Sequence, residues 1–290
     1  MIIRAAAKIN LGLDVTGRRD DGYHEVSMVM QSLRLHDTIV IETADDSGIR
    51  LSCNLPYIPV DAGNLAFKAA ALLLEARGVT TGLSIRIDKR IPVAAGLAGG
   101  SADAAAVLYG VNRLLDLGFS PEELKIFGKS IGADVPFCLM RGTALAEGIG
   151  DRLTRLPPMP NCGILLAKPP FSVSTPKVYQ AFDSEPPASH PDIRAIREAL
   201  QRARLRDLCR SLGNVLEKVT GAWYPLLGEL ETAMKDTGAY NAVMSGSGPT
   251  VFGIYKDIAG AEQAAGTLRS RYGNVRFIVT APYNRGGHKS

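Results

Sequence analysis

The chain has 290 residues, of which 46% are hydrophobic and 21% are charged, and its formal net charge is +4. This composition is typical of a globular protein with a large core. The small positive charge suits an anionic small molecule and excludes a nucleic-acid-binding surface. No apolar run approaches the roughly 20 residues that span a bilayer.

The four cysteines stand far apart, with no CxxC pair and no Cys/His cluster. A zinc site and a disulfide framework are therefore not expected. Reduced cysteines, and an opening segment without the apolar core of a signal peptide, predict a cytoplasmic protein. We expect neither a nucleic acid nor a membrane as a partner.

Alternating side chains over residues 9–15 predict a strand with one buried face. Lys8 and Asn10 fall together on the opposite face, because successive side chains of a strand alternate. A turn at Asp21-Gly22 follows. Next come predicted strands over 26–35, 37–42 and 83–91, and a helix over 63–78 that ends at Gly78.

Two further helices are predicted in the first half of the chain. One runs from about Ala102 to Leu115, and the other opens with a capping box at Ser120 and Glu123 and closes near Gly132. The stretch LPPMPN at 156–161 is the predicted domain boundary, which divides the chain into 1–158 and 159–290. Past it, the predicted elements are a strand at 163–169, helices near 175–183 and across 192–235, strands at 240–245 and 250–256, a helix at 258–272 and a strand at 275–282. This mixture predicts an α+β protein whose second half is ferredoxin-like.

The stretch PVAAGLAGGSADAAAVL, residues 92–108, joins a predicted strand to a predicted helix. Glycines let backbone N–H groups approach a ligand closely, and a following helix adds its dipole, so the loop is typical of a phosphate site. The alternative is a tight strand-to-helix turn packed with alanines. No Lys-Ser/Thr pair and no GxGxxG pattern is present, which disfavours P-loop and Rossmann proteins.

The loop resembles the phosphate loop of the GHMP kinases, and five further motifs in the same order strengthen the resemblance. They are AKINLGLDVTGRRDDGYHEV (7–26), GNLAFKAA (63–70), GADVPFCL (132–139), STPKVY (174–179) and MSGSGPTVF (244–252). Ala94, Ala95 and Ala102 depart from the family pattern, and the alanines at 94 and 95 fit if their φ angles are negative.

The resemblance implies a two-domain GHMP fold, with an ATP-binding N-terminal domain like ribosomal protein S5 domain 2 and a ferredoxin-like C-terminal domain. It implies an ATP- and Mg²⁺-dependent small-molecule kinase. The Asp-Gly-Tyr-His tetrad at 21–24 is most similar to the branch that phosphorylates the 2-hydroxyl of 4-diphosphocytidyl-2-C-methyl-D-erythritol, in the non-mevalonate isoprenoid pathway. Alternatives are a homoserine or mevalonate type of GHMP kinase, or a GHMP-fold ligand sensor without turnover.

By resemblance, the catalytic residues are Lys8, a cation near the reacting hydroxyl, and Asp134, a general base or an orienting carboxylate. An exposed strand lysine and a plain helix N-cap are the alternatives that the residues alone would favour. Asn10 is expected beside Lys8 at the substrate.

The resemblance also predicts a base pocket. Tyr23 and Tyr179 are expected to sandwich the cytosine, His24 to bind its polar edge, and Thr175 to lie nearby. The alternatives are a surface ring for Tyr23 and a helix core residue for Tyr179.

The family's ATP contacts fall on Asn64 and Lys89, whose alternatives are a helix N-cap and an exposed strand end, and on the loop itself. The loop residues are Pro92, Val93, Ala94, Ala95, Gly96, Leu97, Ala98, Gly99, Gly100 and Ser101. Ser101 is the predicted protein neighbour of Mg²⁺, which otherwise binds phosphates and water.

Overall fold

A computed structural model describes residues 1–184 and 189–284 of the protein. Its strands are β1 (Ile2–Arg18), β2 (His24–Ala44), β3 (Ile49–Cys53), β4 (Gly82–Asp88), β5 (Thr143–Gly148), β6 (Arg152–Arg155), β7 (Gly163–Lys168), β8 (Gly213–Asn214), β9 (Asn241–Met244), β10 (Val251–Tyr255) and β11 (Arg276–Thr280).

The helices over the same residues are α1 (Leu65–Arg77), α2 (Gly99–Leu114), α3 (Pro121–Ile131), α4 (Val135–Met140), α5 (Thr175–Ser184), α6 (Ile193–Gln201), α7 (Leu205–Arg210), α8 (Glu217–Trp223), α9 (Leu226–Asp236) and α10 (Ile258–Arg271). None of the helices in this part of the chain is long and apolar enough to cross a membrane.

The chain forms two compact units that are discontinuous in sequence. The first unit comprises Met1–Ala7, Leu35–Val93 and Ala98–Arg141, and the second comprises Lys8–Arg34, Ala94–Leu97 and the chain from Gly142 onward. The long strands β1 and β2 therefore contribute residues to both units.

In the first unit, β3 pairs in parallel with β4, and β4 pairs antiparallel with the C-terminal half of β2. Helices α1 to α4 pack on one another and α1 contacts β3. Gly110 of α2 permits close packing on the strands, since a Cβ there would stand 2.4 Å from Ile3 Cδ1 and 2.5 Å from Ile41 Cδ1.

The predicted helix caps of the first unit are present. Asn64 caps α1, whose end at Gly78 adopts the left-handed conformation with φ 60°. Ser120 and Glu123 form the capping box of α3. Both helices thus begin and end where the local sequence predicts.

In the second unit, β5 pairs antiparallel with β2 and with β6, and β8 pairs in parallel with β1. A separate antiparallel sheet has the strand order β11-β7-β10-β9. With α9 between β7 and β9, and α10 between β10 and β11, this is the ferredoxin-like βαββαβ arrangement. The predicted α+β class and ferredoxin-like second half are confirmed.

The prediction that β1 has one buried face is wrong, because both faces are covered in its middle. Lys8 and Asn10 are 5% and 0% exposed. Helix α6 covers the side of Gly12, where a Cβ would stand 2.5 Å from Ile196 Cδ1. A glycine on that face admits the helix, and alternation alone carries no sign of it.

Helix α8 ends with the chain's single tryptophan, Trp223, which is 44% exposed. The next residue, Tyr224, stacks on Phe171 with ring centroids 4.3 Å apart. These aromatic residues all belong to the second unit.

Candidate active site

The glycine-rich loop leaves the end of β4 and enters α2. Helix α2 begins at Gly99, earlier than the predicted Ala102, so Gly99, Gly100 and Ser101 form its first turn. Backbone N–H groups of a first helical turn have no acceptor within the helix and favour an anion. The first turn of α2 therefore has the geometry of a phosphate site.

The predicted loop residues differ in exposure. Pro92, Ala95 and Leu97 are buried, Val93, Gly96, Ala98, Gly99 and Ser101 are half-buried, and Ala94 and Gly100 are exposed. Residues 94–97 belong to the second unit and the others to the first.

Two alanines of the loop adopt left-handed backbone conformations. Ala94 has φ 48° and Ala98 has φ 55°. The condition that a negative φ accommodates alanine at residue 94 is therefore not met. A methyl group costs about 1–2 kcal/mol in this conformation relative to the right-handed one, so the loop holds some backbone strain.

Gly96 lies against the third glycine-rich motif, residues 244–252, within the second unit. Its φ is 73°, and a Cβ there would stand 2.2 Å from the carbonyl oxygen of Ser245. Ser245 Oγ donates a hydrogen bond of 3.0 Å to the carbonyl oxygen of Gly96. The motif thus supports the loop at a point where only glycine fits.

Lys8 and Asn10 lie together on β1. Lys8 Nζ donates to Asn10 Oδ1 at 2.8 Å, and the backbone N–H of Lys8 donates to the carbonyl oxygen of Leu97 at 3.1 Å. Asn10 Nδ2 contacts Met28 Sδ at 3.3 Å. The alternative of an exposed strand lysine is wrong, since the Lys8 side chain is enclosed in the second unit beside a loop residue.

Asp134 stands at the N-cap position of α4, in the first unit, and is half-buried. Its side chain makes no capping hydrogen bond to that helix. The alternative of a plain capping role therefore lacks the hydrogen bond that defines such a role. The catalytic assignment of Asp134 remains a prediction.

Asn64 makes a hydrogen bond with each end of its amide group within the first unit. Its Oδ1 accepts from the N–H of Ala66 at 2.9 Å, and its Nδ2 donates to the carbonyl oxygen of Pro59 at 2.7 Å. The helix-cap alternative is therefore observed, and contact of Asn64 with adenine stays a prediction.

Lys89 is buried with two carboxylates, and the alternative of an exposed strand end is wrong. Its Nζ lies 2.5 Å from Asp37 Oδ2 and 2.8 Å from Asp103 Oδ2. The side chains of Lys89, Asp37 and Asp103 are 5%, 0% and 5% exposed. We call these three residues the loop clasp. Contact of Lys89 with adenine stays a prediction, and the structure adds that its ammonium group already has two partners.

Burial and charge act against each other in the loop clasp. Burial lowers the pKa of Lys89, but the Coulombic attraction and hydrogen bonds of Asp103 and Asp37 together outweigh it and hold that pKa above the ordinary value. Burial raises the pKa of Asp103 to about 8, with Lys89 opposing the rise. One oxygen of Asp103, Oδ1, has no hydrogen-bond partner among the described residues. A proton on Asp103 leaves the loop clasp with no net charge.

The predicted base pocket is partly assembled in the second unit. The rings of His24 and Tyr179 lie 4.7 Å apart between centroids, at an interplanar angle of 36°. His24 Nε2 lies 2.6 Å from Asp183 Oδ1, one turn beyond Tyr179 on α5. We call His24, Tyr179 and Asp183 the base-side cluster. A neutral imidazole that donates from Nε2 to a carboxylate presents Nδ1 as an acceptor.

The other two base-pocket residues lie at the surface. Tyr23 is 60% exposed at the turn before His24, as its surface-ring alternative predicts. Thr175, the first residue of α5, is exposed, and its Oγ1 lies 2.7 Å from Ser247 Oγ. Tyr179 is half-buried beside the core residue Val178, so its ring lines the surface of the cluster and not the core.

Sequence reasoning assigned no role to Asp37, Asp103, Asp183 or Ser245. Asp183 had a usable signal, since it follows Tyr179 by four residues on one helical face. Asp103 stands out as the single carboxylate of an alanine-rich helix start. Asp37 has no local signal, because 52 residues separate it from Lys89.

No group of three or more His, Cys, Asp or Glu side chains within residues 1–184 and 189–284 is arranged to hold a metal ion. The half-buried hydroxyl of Ser101 lies in the first turn of α2, 3.8 Å from where a Cβ of Gly132 would stand. Mg²⁺ held mainly by phosphate oxygens and water, with one protein hydroxyl, fits this donor set. None of Cys53, Cys138, Cys162 and Cys209 is part of a disulfide.

Comparison with known proteins identifies the family. Residues 64–142 match the model of the GHMP kinases N terminal domain, and residues 188–274 match that of the GHMP kinases C terminal domain. Together these matches cover more than half of the chain.

Two relatives match over nearly their whole length. A 4-diphosphocytidyl-2-C-methyl-D-erythritol kinase of Lachnospira eligens is 51% identical over 96% of each chain. A crystal structure of 4-(cytidine 5'-diphospho)-2C-methyl-D-erythritol kinase has a TM-score of 0.84 and 36% identity, and covers 97% of this chain and 99% of that one.

A homoserine kinase from Cytophaga hutchinsonii has a TM-score of 0.72 at 19% identity, covering 96% of this chain and 94% of that one. That likeness shows the fold alone. The predicted fold and kinase class are confirmed, and the chain belongs to the GHMP kinase family.

Proposed function

We propose that this kinase transfers the γ-phosphoryl group of ATP to the 2-hydroxyl of 4-diphosphocytidyl-2-C-methyl-D-erythritol. The products are ADP and the 2-phosphate, within the non-mevalonate isoprenoid pathway. The observation that carries the proposal is the 51% identity, over 96% of both chains, to a relative that bears this substrate in its name.

Lys8 and Asp134 are the proposed catalytic residues. In phosphoryl transfer the new bond from the hydroxyl oxygen to phosphorus replaces the bond from phosphorus to the leaving ADP oxygen. The protein forms no covalent bond itself, so it acts by positioning the reactants and neutralising charge. The Lys8 ammonium, held by Asn10 Oδ1 at 2.8 Å, is suited to stabilise the oxygen as it loses its proton. Asp134, a carboxylate that does not cap its own helix, is suited to accept that proton.

The glycine-rich loop and the first turn of α2 are the proposed ATP phosphate site. The first-turn N–H groups and the helix dipole favour the anion, and the small side chains of residues 94–100 allow a close approach. Asn64 is proposed at the adenine. Mg²⁺, bound beside Ser101, would supply neutralisation of phosphate charge when present.

The base-side cluster, with Tyr23 and Thr175, is the proposed cytosine pocket. The exposed Tyr23 ring offers a stacking surface, which contributes roughly 1–3 kcal/mol per base in other proteins. Because Asp183 keeps the His24 proton on Nε2, His24 Nδ1 is left to accept a hydrogen bond. The amino group of cytosine is a donor and the corresponding oxygen of uracil is not, so this tautomer favours cytosine.

We further propose an ATP-binding domain over residues 1–158, which also carries the substrate residues Lys8, Asn10, Tyr23 and His24, and a substrate-side domain over residues 159–290. The two matched family regions, 64–142 and 188–274, fall on either side of this boundary and support it. A cytoplasmic location fits free thiols and the use of ATP.

The test is ADP release from Mg-ATP with three alcohols offered separately: the cytidyl substrate, homoserine and mevalonate. Turnover with the cytidyl substrate alone is the expected result. Turnover with homoserine or mevalonate alone would keep the kinase and refute the base pocket. ATP binding without any turnover would favour a ligand sensor.

A further inference from the structure

Lys89, Asp37 and Asp103 lie around the two ends of the glycine-rich loop, and all three belong to the first unit. Lys89 stands just before the loop, and Asp103 stands on α2 just after it. One buried ammonium group bonds to both Asp37 and Asp103. The entry and the exit of the loop are therefore joined through a single side chain.

Asp37 also fixes the backbone at the entry of the loop. Its Oδ1 accepts hydrogen bonds from the N–H groups of Arg90 and Ile91, the latter at 2.8 Å. Its other oxygen accepts from Lys89. Asp37 lies on β2, so the two residues that precede Pro92 are held to a central strand of the unit.

The exit of the loop is held by the same ammonium group. A Cβ on Gly99 would stand 3.2 Å from Lys89 Nζ and 3.2 Å from Ile91 Cγ2. The ammonium thus lies against the first residue of α2, and its bond to Asp103 ties down the first turn of that helix. The N–H groups of this turn are the ones proposed to bind phosphate.

We propose that the loop clasp is a positioning device for ATP, in which Asp37 and Asp103 hold Lys89 against the first turn of α2 and so set the position of that turn. The inference rests on the proposed function in so far as ATP is the ligand. Removing one partner of a buried ion pair leaves an uncompensated buried charge, which destabilises the surrounding structure. In enzyme sites generally, a misplacement of about 1 Å caused by a mutation away from the reacting groups can cost roughly 10²-fold in rate.

Three variants test the loop clasp. Asp103→Ala removes the exit bond, Asp103→Asn keeps an oxygen for Lys89, and Lys89→Arg keeps the charge but changes the reach. ATP affinity is measured by calorimetry without the alcohol, so a wrong assignment of the alcohol would not alter the outcome. The KM for each substrate is measured beside it.

We expect Asp103→Ala to weaken ATP binding about tenfold or more while the KM for the alcohol changes less than about twofold. Asp103→Asn restores ATP affinity to within about threefold of the parent. Lys89→Arg, which is expected to fold because no charge is lost, weakens ATP binding by an intermediate factor.

The matched control is Thr143→Val in the second unit. Thr143 is buried, and its Oγ1 donates to Gln31 Oε1 at 2.7 Å. This variant loses a buried polar contact and is expected to lower stability without changing ATP affinity. ATP affinity equal to the parent in folded Asp103→Ala and Lys89→Arg proteins would overturn the proposal. So would equal losses in Thr143→Val, or a loss in Asp103→Asn as large as in Asp103→Ala.

Discussion

Two charged clusters, one in each compact unit, hold their functional groups in opposite ways. The loop clasp has side chains at most 5% exposed, and one of its carboxylates, Asp37, also accepts from backbone N–H groups. The base-side cluster is more open, with His24 and Asp183 side chains 11% and 24% exposed. The buried cluster is suited to place backbone groups for a triphosphate, whereas the open cluster is suited to present side chains to a base.

The largest effect is expected outside both clusters, at the proposed catalytic pair. Lys8→Met and Asp134→Asn should each lower kcat by about 10³-fold, because a charge that stabilises the transition state is lost. ATP affinity, measured by calorimetry, should stay within about threefold. A parallel loss of ATP affinity would show that Lys8 and Asp134 also contribute to nucleotide binding, which is the effect expected of the loop clasp.

The loop clasp is expected to contribute more to the free energy of unfolding than the base-side cluster. Asp37→Ala should lower the free energy of unfolding by about 3–5 kcal/mol, because Lys89 loses a buried partner and two N–H groups lose their acceptor. The matched change Asp183→Ala, in a partly exposed ion pair, should cost less than about 1 kcal/mol. Urea denaturation of both variants measures the difference in unfolding free energy. Equal losses would show that the loop clasp and the base-side cluster contribute equally to stability.

The titration of Asp103 is expected to make the free energy of unfolding depend on pH. Its pKa is about 8 in the folded protein, against an ordinary value of 3.8. Between these values the folded state binds one more proton than the unfolded state, so stability falls as pH rises, by about 1.4 kcal/mol per pH unit. Below both values the contribution is complete, and above about pH 8 it is lost.

Asp103→Asn has no carboxyl group to titrate at this position, so comparison with the parent isolates the contribution of Asp103. The unfolding free energy of the parent minus that of the variant should fall by roughly 2–3 kcal/mol between pH 5.5 and pH 7.5. Glu231, whose pKa burial also raises to about 8, contributes equally to both proteins and cancels. A difference that does not change with pH would show that Asp103 is ionised throughout this range.

The smallest effect is expected in the base-side cluster. Asp183→Asn should raise the KM for the cytidyl substrate about fivefold and leave the KM for ATP unchanged, because an amide can either donate to or accept from His24 Nε2 and so no longer fixes its tautomer. The preference over a uridyl analogue should shrink in the same variant. Asp207→Asn, in an exposed pair with Arg210 of the same unit, is the control and should alter neither.

The local sequence was sufficient for elements whose signals lie within a few residues of each other. The capping box at Ser120 and the helix end at Gly78 depend on neighbouring residues, and both are present. The closeness of Lys8 and Asn10 follows from strand alternation, and the two side chains are hydrogen-bonded. The order of the GHMP motifs was enough to identify the family.

Features that depend on distant partners were not predictable in this way. The covering of β1 at Gly12 requires α6 to pack there, and the loop clasp requires Asp37 on another strand. Ala94 adopts a left-handed φ although an alanine side chain disfavours that conformation. The conformational preference of the residue itself therefore does not predict its backbone.

The single tryptophan gives the protein an intrinsic optical reporter of one unit. Trp223 lies on α8 in the second unit, next to the stacked pair of Tyr224 and Phe171. Its fluorescence follows the loss of structure in that unit, while far-ultraviolet circular dichroism follows the helices of both. Coincident transitions by the two signals would mean that the units unfold together. Separate transitions in the Asp37→Ala variant would let the stability of each unit be measured without cutting the chain.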